Sequence, residues 1–232
     1  MSTQSKHEKK GLMDYLPTYR FSQPAHLAAA SSAIVAMSVY YNRKGSVRLD
    51  YPSTALSVTH LLTTGGWFGT QIWVTFVAGL TMFHNLPRHL FGDVQSRLFP
   101  KYFSFGVLSN AVCICTYFLH HSINNLETRG FIQISAMGLS LLSNCANLLY
   151  FLPATREVAL RKNKIEKEYG LDTHVGPVSQ TQFDELFQKE PDFKKHYKTF
   201  MRYHGYSALL NIVSLVGSVV HLYCLAGNLS SF

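Results

Sequence analysis

Four long apolar stretches alternate with short or basic connections along the chain. None of the four contains Asp, Glu, Lys or Arg. Each is longer than the roughly 20 residues needed to cross about 30 Å of hydrocarbon at 1.5 Å per residue. The pattern therefore predicts four membrane-spanning helices, at about residues 61–83, 102–123, 131–153 and 205–227.

A weaker apolar segment precedes these spans. Residues 25–41 are rich in Ala and lie at the lower length limit for crossing a bilayer, whereas residues 1–24 are polar. Two interpretations stay open for this segment: a fifth span, or a helix that lies on the bundle or on the lipid surface. We divide the chain into an N-terminal extension, residues 1–55, and a membrane domain, residues 56–232.

The basic residues of the connections predict the orientation of the spans. Three follow the first span, one follows the second, and the connection at residues 154–204 holds ten Lys and Arg. Because basic loops stay in the cytoplasm, the first and third connections are predicted to be cytoplasmic, and the second connection and the C-terminus to be outside. The N-terminus is predicted to be cytoplasmic if residues 25–41 cross the membrane and outside if they do not.

The connection at residues 154–204 predicts cytoplasmic helices. One helix continues from the third span as far as Gly170. A second begins at Thr181, with acidic residues in its first turn. A third begins at Pro191 and runs directly into the fourth span. These segments are predicted to form charged helical arms outside the hydrocarbon.

A short basic segment between Pro87 and Pro100 follows the first span. Its apolar residues recur at helical spacing, which predicts a short amphipathic helix lying in the membrane interface. We predict that four cationic residues anchor this cytoplasmic face and meet anionic lipid headgroups: Arg88, His89, Arg202 and His204.

Polar and small residues recur at helical spacing inside every span. On the fourth span they are spaced 3, 4, 3, 4 and 3 residues apart from His204 to His221, which is typical of left-handed helix packing. Because unpartnered polar groups are costly in hydrocarbon, we expect the spans to meet at these positions. The residues predicted to line the interior are His60, Trp67, Gly69, Gln71, Asn110, Asn144, Asn147, Asn211 and His221.

Two interpretations of these aligned positions stay open. The polar residues either hydrogen-bond and pack the helices together, or they line a polar cavity or pathway. Gly65 and Gly69 likewise fit either a contact within the bundle or a contact between copies of the chain.

Composition narrows the class of protein. Charged residues make up 15% of the chain, against about 25% in soluble domains. The net charge is +8, but the basic residues lie in the connections between spans, so no nucleic-acid partner is expected. The four Cys all lie in apolar stretches, which is typical of packing residues and not of a disulfide framework.

Histidine is the titratable residue type found near the spans. His60, His120 and His221 are predicted to share the outer side of the membrane, and imidazole is a common ligand of transition metals and haem iron. A haem- or metal-binding redox protein is therefore an alternative to a protein without a cofactor. No nucleophile–base pair, phosphate-binding Gly loop or paired carboxylate is evident, so we expect no enzymatic activity.

Five motifs resemble those of the transmembrane protein 205-like family. They are HLL…GWFGTQIWVTFVAG at 60–79, LPRHLFGDVQSRLFPKYF at 86–103, Asn147 with Pro153-Ala-Thr155, EKEYG at 166–170, and FMRYHGYSALLN at 200–211. The resemblance extends over about residues 58–227. It implies a eukaryotic multi-pass membrane protein with four core helices and no established enzymatic activity.

The sequence thus predicts an all-α integral membrane four-helix bundle with cytoplasmic helical extensions and, in one interpretation, a fifth N-terminal helix. We expect a protein of the plasma membrane or an endomembrane that acts in membrane transport, trafficking or drug- or metal-resistance processes. A haem- or metal-binding redox protein and a purely structural scaffold are the alternatives. The expected partners are the lipid bilayer, anionic headgroups and a homo- or hetero-oligomeric neighbour.

Overall fold

The computed structural model describes residues 24–45 and 54–229. Within these ranges the chain is helical, and the predicted all-α fold is confirmed. Most of the predicted polar segment at residues 1–24 lies outside the described residues. The α-helices are α1 (Pro24–Arg43), α2 (Thr54–Ile72), α3 (Gly79–Asn85), α4 (Arg88–His120), α5 (Thr128–Ala146), α6 (Leu152–Glu168), α7 (Gln180–Lys189) and α8 (Pro191–Leu229).

Two π-helical turns interrupt the long helices. Trp73–Ala78 joins α2 to α3, and Asn147–Phe151 joins α5 to α6. The four predicted spans lie on α2 with α3, on α4, on α5 with the second π-helical turn, and on α8. These four elements pack against one another, since α4 contacts α2 and α5, and α8 contacts α2 and α5.

Three helical segments among the described residues are long and apolar enough to cross a membrane by length and composition: Arg88–His120, Thr128–Glu168 and Pro191–Gly227. The first predicted span is not among them, because Gln71 and several Gly and Thr residues lower the mean hydropathy of α2.

The interfacial helix predicted between Pro87 and Pro100 is wrong as a separate element. One continuous helix, α4, runs through this segment and on into the second span, with Pro100 inside it. Pro87 lies at the helix start, where an N–H group would have no partner within the helix. Pro100 removes one backbone hydrogen bond from the helix. The rings of Phe99 and Phe103, which lie on either side of Pro100, stack with their centroids 5.7 Å apart.

α1 packs beside α4 and contacts elements at both ends of the bundle. At its C-terminal end, the buried amide of Asn42 donates to the carbonyls of Phe118 and His121, and its oxygen accepts from the N–H of Ile123 at 2.8 Å. α1 also contacts the π-helical turn Asn147–Phe151. Its 20 residues extend about 30 Å. That α1 crosses the bilayer stays a prediction, and this packing is consistent with it.

The predicted helical arms are confirmed. α6 extends the third span and ends before Gly170, whose φ of 69° lies in the left-handed region that favours glycine. α8 begins at Pro191 and continues through the fourth span. The start of α7 differs from the prediction by one residue: the helix begins at Gln180, after Ser179, whose hydroxyl accepts the N–H of Gln182.

Two separate apolar clusters hold these elements together. The larger lies inside the bundle, around Trp67, Tyr102 and Val107. The smaller lies under α7 and combines Phe183 and Leu186 with Phe193 at the start of α8. Large apolar residues on the outside of the bundle are exposed, including Leu62, Leu142 and Val216. This outward apolar surface is what a helix bundle presents to lipid.

Candidate functional site

A line of buried polar side chains runs through the contact between α2, α4, α5 and α8, and we call it the polar seam. Its buried members are His60, Thr64, Gln71, Cys113, Thr116, Gln133, Ser140, Asn144, Asn147, Ser214, Ser218 and His221. None of them is Asp, Glu, Lys or Arg. A polar group buried in an apolar bundle is costly without a hydrogen-bond partner, so the pairing of these side chains decides what the seam does.

Ser214 of α8 lies at the centre of the polar seam. Its Oγ is 3.0 Å from Gln71 Nε2 and 2.9 Å from Asn144 Nδ2, both of which donate to it. It is also 2.7 Å from Ser140 Oγ. A hydroxyl oxygen accepts two hydrogen bonds and donates one, so Ser214 gives its own proton to Ser140. Ser140 in turn donates to the Ser214 carbonyl at 3.3 Å.

Gln71 ties two turns of α8 to α2. Its amide nitrogen donates to Ser214, and its amide oxygen accepts from Ser218 Oγ at 2.7 Å. Gln71 is fully buried. Since both ends of its amide are satisfied, this side chain holds α2 and α8 in one register.

The two π-helical turns provide the seam's contacts nearer α3 and α6. Asn211 of α8 accepts from Tyr102 Oη at 2.7 Å and donates to Thr75 Oγ1 at 3.0 Å. Asn147, the first residue of the second π-helical turn, donates to the Ser207 carbonyl at 3.1 Å. The seam thus includes a residue of each irregular turn.

At the other end of the seam two histidines are in direct contact. His60 Nε2 on α2 lies 3.0 Å from His221 Nε2 on α8. The second nitrogen of His60 is 2.6 Å from Thr116 Oγ1, and that of His221 is 3.1 Å from Gln133 Nε2. Every ring nitrogen of the pair therefore has a partner, and the pair joins all four core helices.

The interior of the bundle leaves very little space. A cavity of about 10 Å³, near the limit for one water molecule, adjoins the seam between Trp67 and His221. A Cβ placed on Gly106 would lie 2.6 Å from the Trp67 ring, and one placed on Gly217 would lie 2.8 Å from the Ala136 carbonyl. Glycine at these two positions permits the close approach, and the bundle is closed in this conformation.

Most of the residues predicted to line the interior are buried or half-buried, but the prediction for Gly69 is wrong. Gly69 is exposed, as is Gly65, and a Cβ on either residue would meet nothing within 4 Å. Gly69 is two residues from Gln71, which places it about 200° around the helix from the buried face. The interpretation of this Gly pair as a contact within the bundle is therefore wrong.

The metal site predicted from His60, His120 and His221 is also wrong. His60 and His221 bond directly to each other, and His120 does not join them: its Nε2 is buried without a hydrogen-bond partner. In the part of the chain that the structure describes, no group of three or more His, Cys, Asp or Glu side chains could hold a metal ion.

The opposite end of the bundle carries a charged group, the Glu166 cluster, made of Arg88, His89, Lys162 and Glu166. Arg88 Nε and Nη2 donate to Glu166 Oε1 at 3.1 and 3.0 Å. Lys162 Nζ lies 2.8 Å, and His89 Nε2 3.3 Å, from Glu166 Oε2. The Glu166 side chain is fully buried, so both its oxygens are satisfied by cations away from bulk water.

For both Glu166 and Lys162, burial and the paired charge shift the pKa in opposite directions. For Glu166, burial raises the pKa, but the hydrogen bonds and charges of Arg88 and Lys162 outweigh it and hold the pKa below its usual value. For Lys162, burial is the largest influence and outweighs the attraction of Glu166, which lowers its pKa to about 8. Lys162 and Glu166 are therefore both charged at neutral pH.

The Glu166 cluster also fixes the start of α4. The backbone N–H groups of Arg88 and His89 donate to the carbonyls of His174 and Asp172, at 2.8 and 3.2 Å. These are N–H groups that a helix start leaves without partners inside the helix. The Arg88 guanidinium lies 5.4 Å from the centre of the Phe183 ring on α7. One cluster thus joins α4, α6, α7 and the loop before α7.

The four residues predicted to form the cytoplasmic face are not one group. Arg88 and His89 are directed to Glu166, whereas Arg202 is exposed beside Tyr203, and the His204 ring stacks on Phe200 at 5.7 Å. The sequence prediction missed Lys162 and Glu166. Their four-residue spacing on a predicted helix was the available signal, but it also fits an ordinary exposed pair.

The fold and the seam define an all-α integral membrane protein whose spans meet through neutral polar side chains. Transmembrane protein 205 of Danio rerio is 36% identical to the chain over 181 residues, which cover 78% of this chain and 96% of the relative. The chain belongs to the transmembrane protein 205 family. Residues 62–164, from α2 to α6, match a domain of unknown function, DUF4149. No solved structure matches the chain.

Proposed function

We propose that this protein is a non-enzymatic membrane protein that takes part in membrane transport, with the polar seam as the closed form of a pathway for a small polar solute. The observation that carries the proposal is the continuity of the seam. It involves all four core helices, from the His60–His221 pair to Asn147, without a formal charge at any position. Polar groups are costly in the interior of a membrane, so contact with lipid does not account for this line of polar residues.

The π-helical turns support a bundle that can open. π-helical turns are rare and occur frequently at functional sites, where a helix can change its register locally. Here one contains Thr75 and the other begins at Asn147, and both residues bond to α8. The end of the seam nearer α3 and α6 thus includes residues of both π-helical turns.

The non-enzymatic part of the proposal rests on how the seam's groups are paired. Ser214 is hydrogen-bonded to Gln71, Ser140 and Asn144, and the adjoining cavity of about 10 Å³ cannot admit a substrate larger than water. An active site needs reactive groups directed into space that a substrate can occupy.

Flux through reconstituted vesicles tests the transport proposal. The purified full chain is placed in vesicles, and the entry of urea, glycerol and protons is followed by light scattering and a trapped pH-sensitive dye. We expect flux of at least one of them above that of protein-free vesicles. Thr64→Val, which removes a buried seam hydroxyl 3.3 Å from Cys113 Sγ, is expected to lower it several-fold.

Thr70→Val on the same helix is the matched control, because the Thr70 hydroxyl bonds to the Gly66 carbonyl of its own helix. Flux equal to that of empty vesicles, or an equal effect of the two valine variants, contradicts the transport proposal. The small cavity and the three hydrogen-bond partners of Ser214 would then favour the second candidate, a scaffold whose polar seam serves to join the helices.

We also propose that the exposed Arg202 side chain meets anionic lipid headgroups. Arg202 lies near the start of the fourth span and is not directed into the Glu166 cluster. Adding phosphatidylserine to neutral lipid nanodiscs is expected to raise the thermal midpoint of the wild-type chain more than that of Arg202→Gln. An equal rise in both proteins contradicts this proposal.

A further inference from the structure

We propose that His60 and His221 form a binding site for one excess proton, which the two imidazole rings share through their facing Nε2 atoms. The two rings meet edge to face, with centroids 5.0 Å apart, and both side chains are buried between the core helices. The proposal does not rest on transport, because proton binding is a property of the pair at rest.

The hydrogen bonds around the pair define its neutral state. The Thr116 hydroxyl donates to the Val112 carbonyl at 2.8 Å, so its oxygen accepts from His60 Nδ1. A neutral His60 then has a bare Nε2, which accepts from the Nε2–H of His221. The remaining nitrogen of His221, Nδ1, accepts from the amide of Gln133. Hydrogen-bond donation thus runs in one direction, from Gln133 through the two histidines to Thr116.

The same partners can hold one further proton. A proton from water added to His221 Nδ1 turns that atom into a donor, which requires an acceptor in place of the Gln133 amide nitrogen. A half-turn of the Gln133 amide supplies its oxygen at the same position. The proton between the two Nε2 atoms stays in place, and His60 still donates to Thr116. Every hydrogen bond of the pair is retained, and the positive charge is spread over two rings.

A second excess proton has no place in this geometry. It would put a hydrogen on both Nε2 atoms, which lie 3.0 Å apart, and neither could then accept. The pair therefore binds one proton as a unit, and further protonation requires the rings to separate. Proton binding by one histidine is coupled to that of the other, as expected for titratable groups in direct contact.

The groups that face the pair set the affinity for this proton. α2 contributes Thr64, whose Oγ1 is 3.3 Å from His221 Nε2, and α5 contributes Gln133. α4 contributes Thr116, the Cys113 thiol beyond Thr64, and His120 and His121 at its end. Among the described residues, no Asp, Glu, Lys or Arg bonds to either ring. The excess charge is thus held by hydrogen bonds and ring sharing, without a counter-ion.

Nitrogen-15 NMR of the histidine rings, with the full chain in lipid nanodiscs, tests the proposal directly. Ring nitrogen shifts distinguish bare from protonated atoms, so a pH titration counts the protons bound. We expect the His60 and His221 signals to change together in one step that takes up one proton per chain. His60→Gln and His221→Gln are each expected to abolish that step, whereas His89→Gln, at the far end of the bundle, leaves it unchanged.

Two variants of Gln133 are expected to shift the midpoint of the protonation step in opposite directions. Gln133→Glu places a carboxylate opposite His221 Nδ1 and is expected to raise the midpoint of the step by at least about one pH unit, a tenfold gain in proton affinity. Gln133→Leu removes the acceptor and is expected to lower the midpoint. Separate steps for the two rings, uptake of two protons, uptake of none before unfolding, or shifts of the same sign in both variants would overturn the proposal.

Discussion

The polar seam and the Glu166 cluster solve one problem, the burial of polar groups, in different ways. The seam lies between the spans and uses neutral donors and acceptors such as Gln71 and Ser214, each paired across two or three helices. The cluster lies beyond the spans and uses full charges, with Glu166 held by Arg88 and Lys162. The difference follows position, because charge is most costly at the bilayer centre.

The two regions are expected to respond differently when one hydrogen-bonding or charged partner is removed. Removing one partner from the seam leaves a neutral group unsatisfied, whereas removing Glu166 leaves two buried or half-buried cations without a counter-ion. Neutral hydrogen bonds between membrane helices contribute about 0.6 kcal/mol on average and up to about 1.7 kcal/mol. Breaking a buried ion pair costs about 3–5 kcal/mol. The cluster should therefore be the more sensitive region.

Glu166→Gln is expected to have the largest effect. It leaves Arg88 and Lys162 facing each other without a carboxylate, and we expect a loss of about 3–5 kcal/mol in the free energy of unfolding. Denaturation by SDS in mixed micelles, followed by circular dichroism, measures it. Glu157→Gln is the matched control on the same helix, because the Glu157–Arg161 pair is exposed and is expected to contribute at most about 0.5 kcal/mol. Equal losses in both variants would contradict a special role for the cluster.

Acid should weaken the cluster and spare the seam's serines and amides. The pKa of Glu166 is lowered on folding, so this carboxylate stabilises the folded state above its ordinary pKa of 4.5. That stability is lost as pH falls through the lower, folded-state value. We expect the thermal midpoint of the wild-type chain to fall below about pH 4.5. In Glu166→Gln this part of the fall should be absent, and an unchanged acid profile would argue against the cluster as its cause.

Gln71→Leu tests the seam and is expected to cost about 1–2 kcal/mol, because it deprives Ser214 of a donor and Ser218 of an acceptor. The same SDS titration measures it. Gln182→Leu, an exposed glutamine on α7, provides the comparison and is expected to be close to neutral. A loss for Gln71→Leu as large as that for Glu166→Gln would erase the distinction between the two regions.

Lys162→Met is expected to have a smaller effect than Glu166→Gln. Burial lowers the pKa of Lys162 to about 8, which means that its charged form is penalised in the folded state. The unfolded chain therefore binds more protons between about pH 8 and its ordinary value of 10.5, so stability rises with pH over that window. Lys162→Met should remove this alkaline rise and cost less than Glu166→Gln. A larger loss than for Glu166→Gln would contradict the dominance of burial.

Periodicity in the sequence was enough to predict the seam's principal residues. Gln71, Asn144 and His221 were placed on inward faces because helical spacing assigns a face to each position, and the structure buries all three. The same rule failed at Gly69, because glycine has no side chain whose polarity marks an inward or an outward face. The continuity of α4 through Pro100 was missed for a related reason, since proline usually ends a helix and tertiary packing decides the exceptions.

The sequence does not predict which residues far apart along the chain are in contact. The 3.0 Å contact of His60 with His221 joins residues 161 positions apart, and nothing local distinguishes it from two separate interfacial histidines. Likewise, Lys162 and Glu166 have the spacing of an exposed helical pair, and only the approach of Arg88 from α4 buries the carboxylate. Spacing gives the face of a helix, but the neighbour on that face depends on the packing of the whole bundle.

The central claim is that the core helices meet through the polar seam, and disulfide cross-linking in native membranes tests it most directly. Ser140 Oγ and Ser214 Oγ are 2.7 Å apart, so Ser140→Cys with Ser214→Cys, in a chain whose own cysteines are alanine, should form a disulfide between α5 and α8 on mild oxidation. Leu139→Cys with Ser214→Cys should not, because Leu139 is exposed. Mass spectrometry of proteolytic fragments detects the link. Efficient cross-linking of the Ser140 pair alone is the predicted result, and no link, or equal linking of both pairs, would contradict the account.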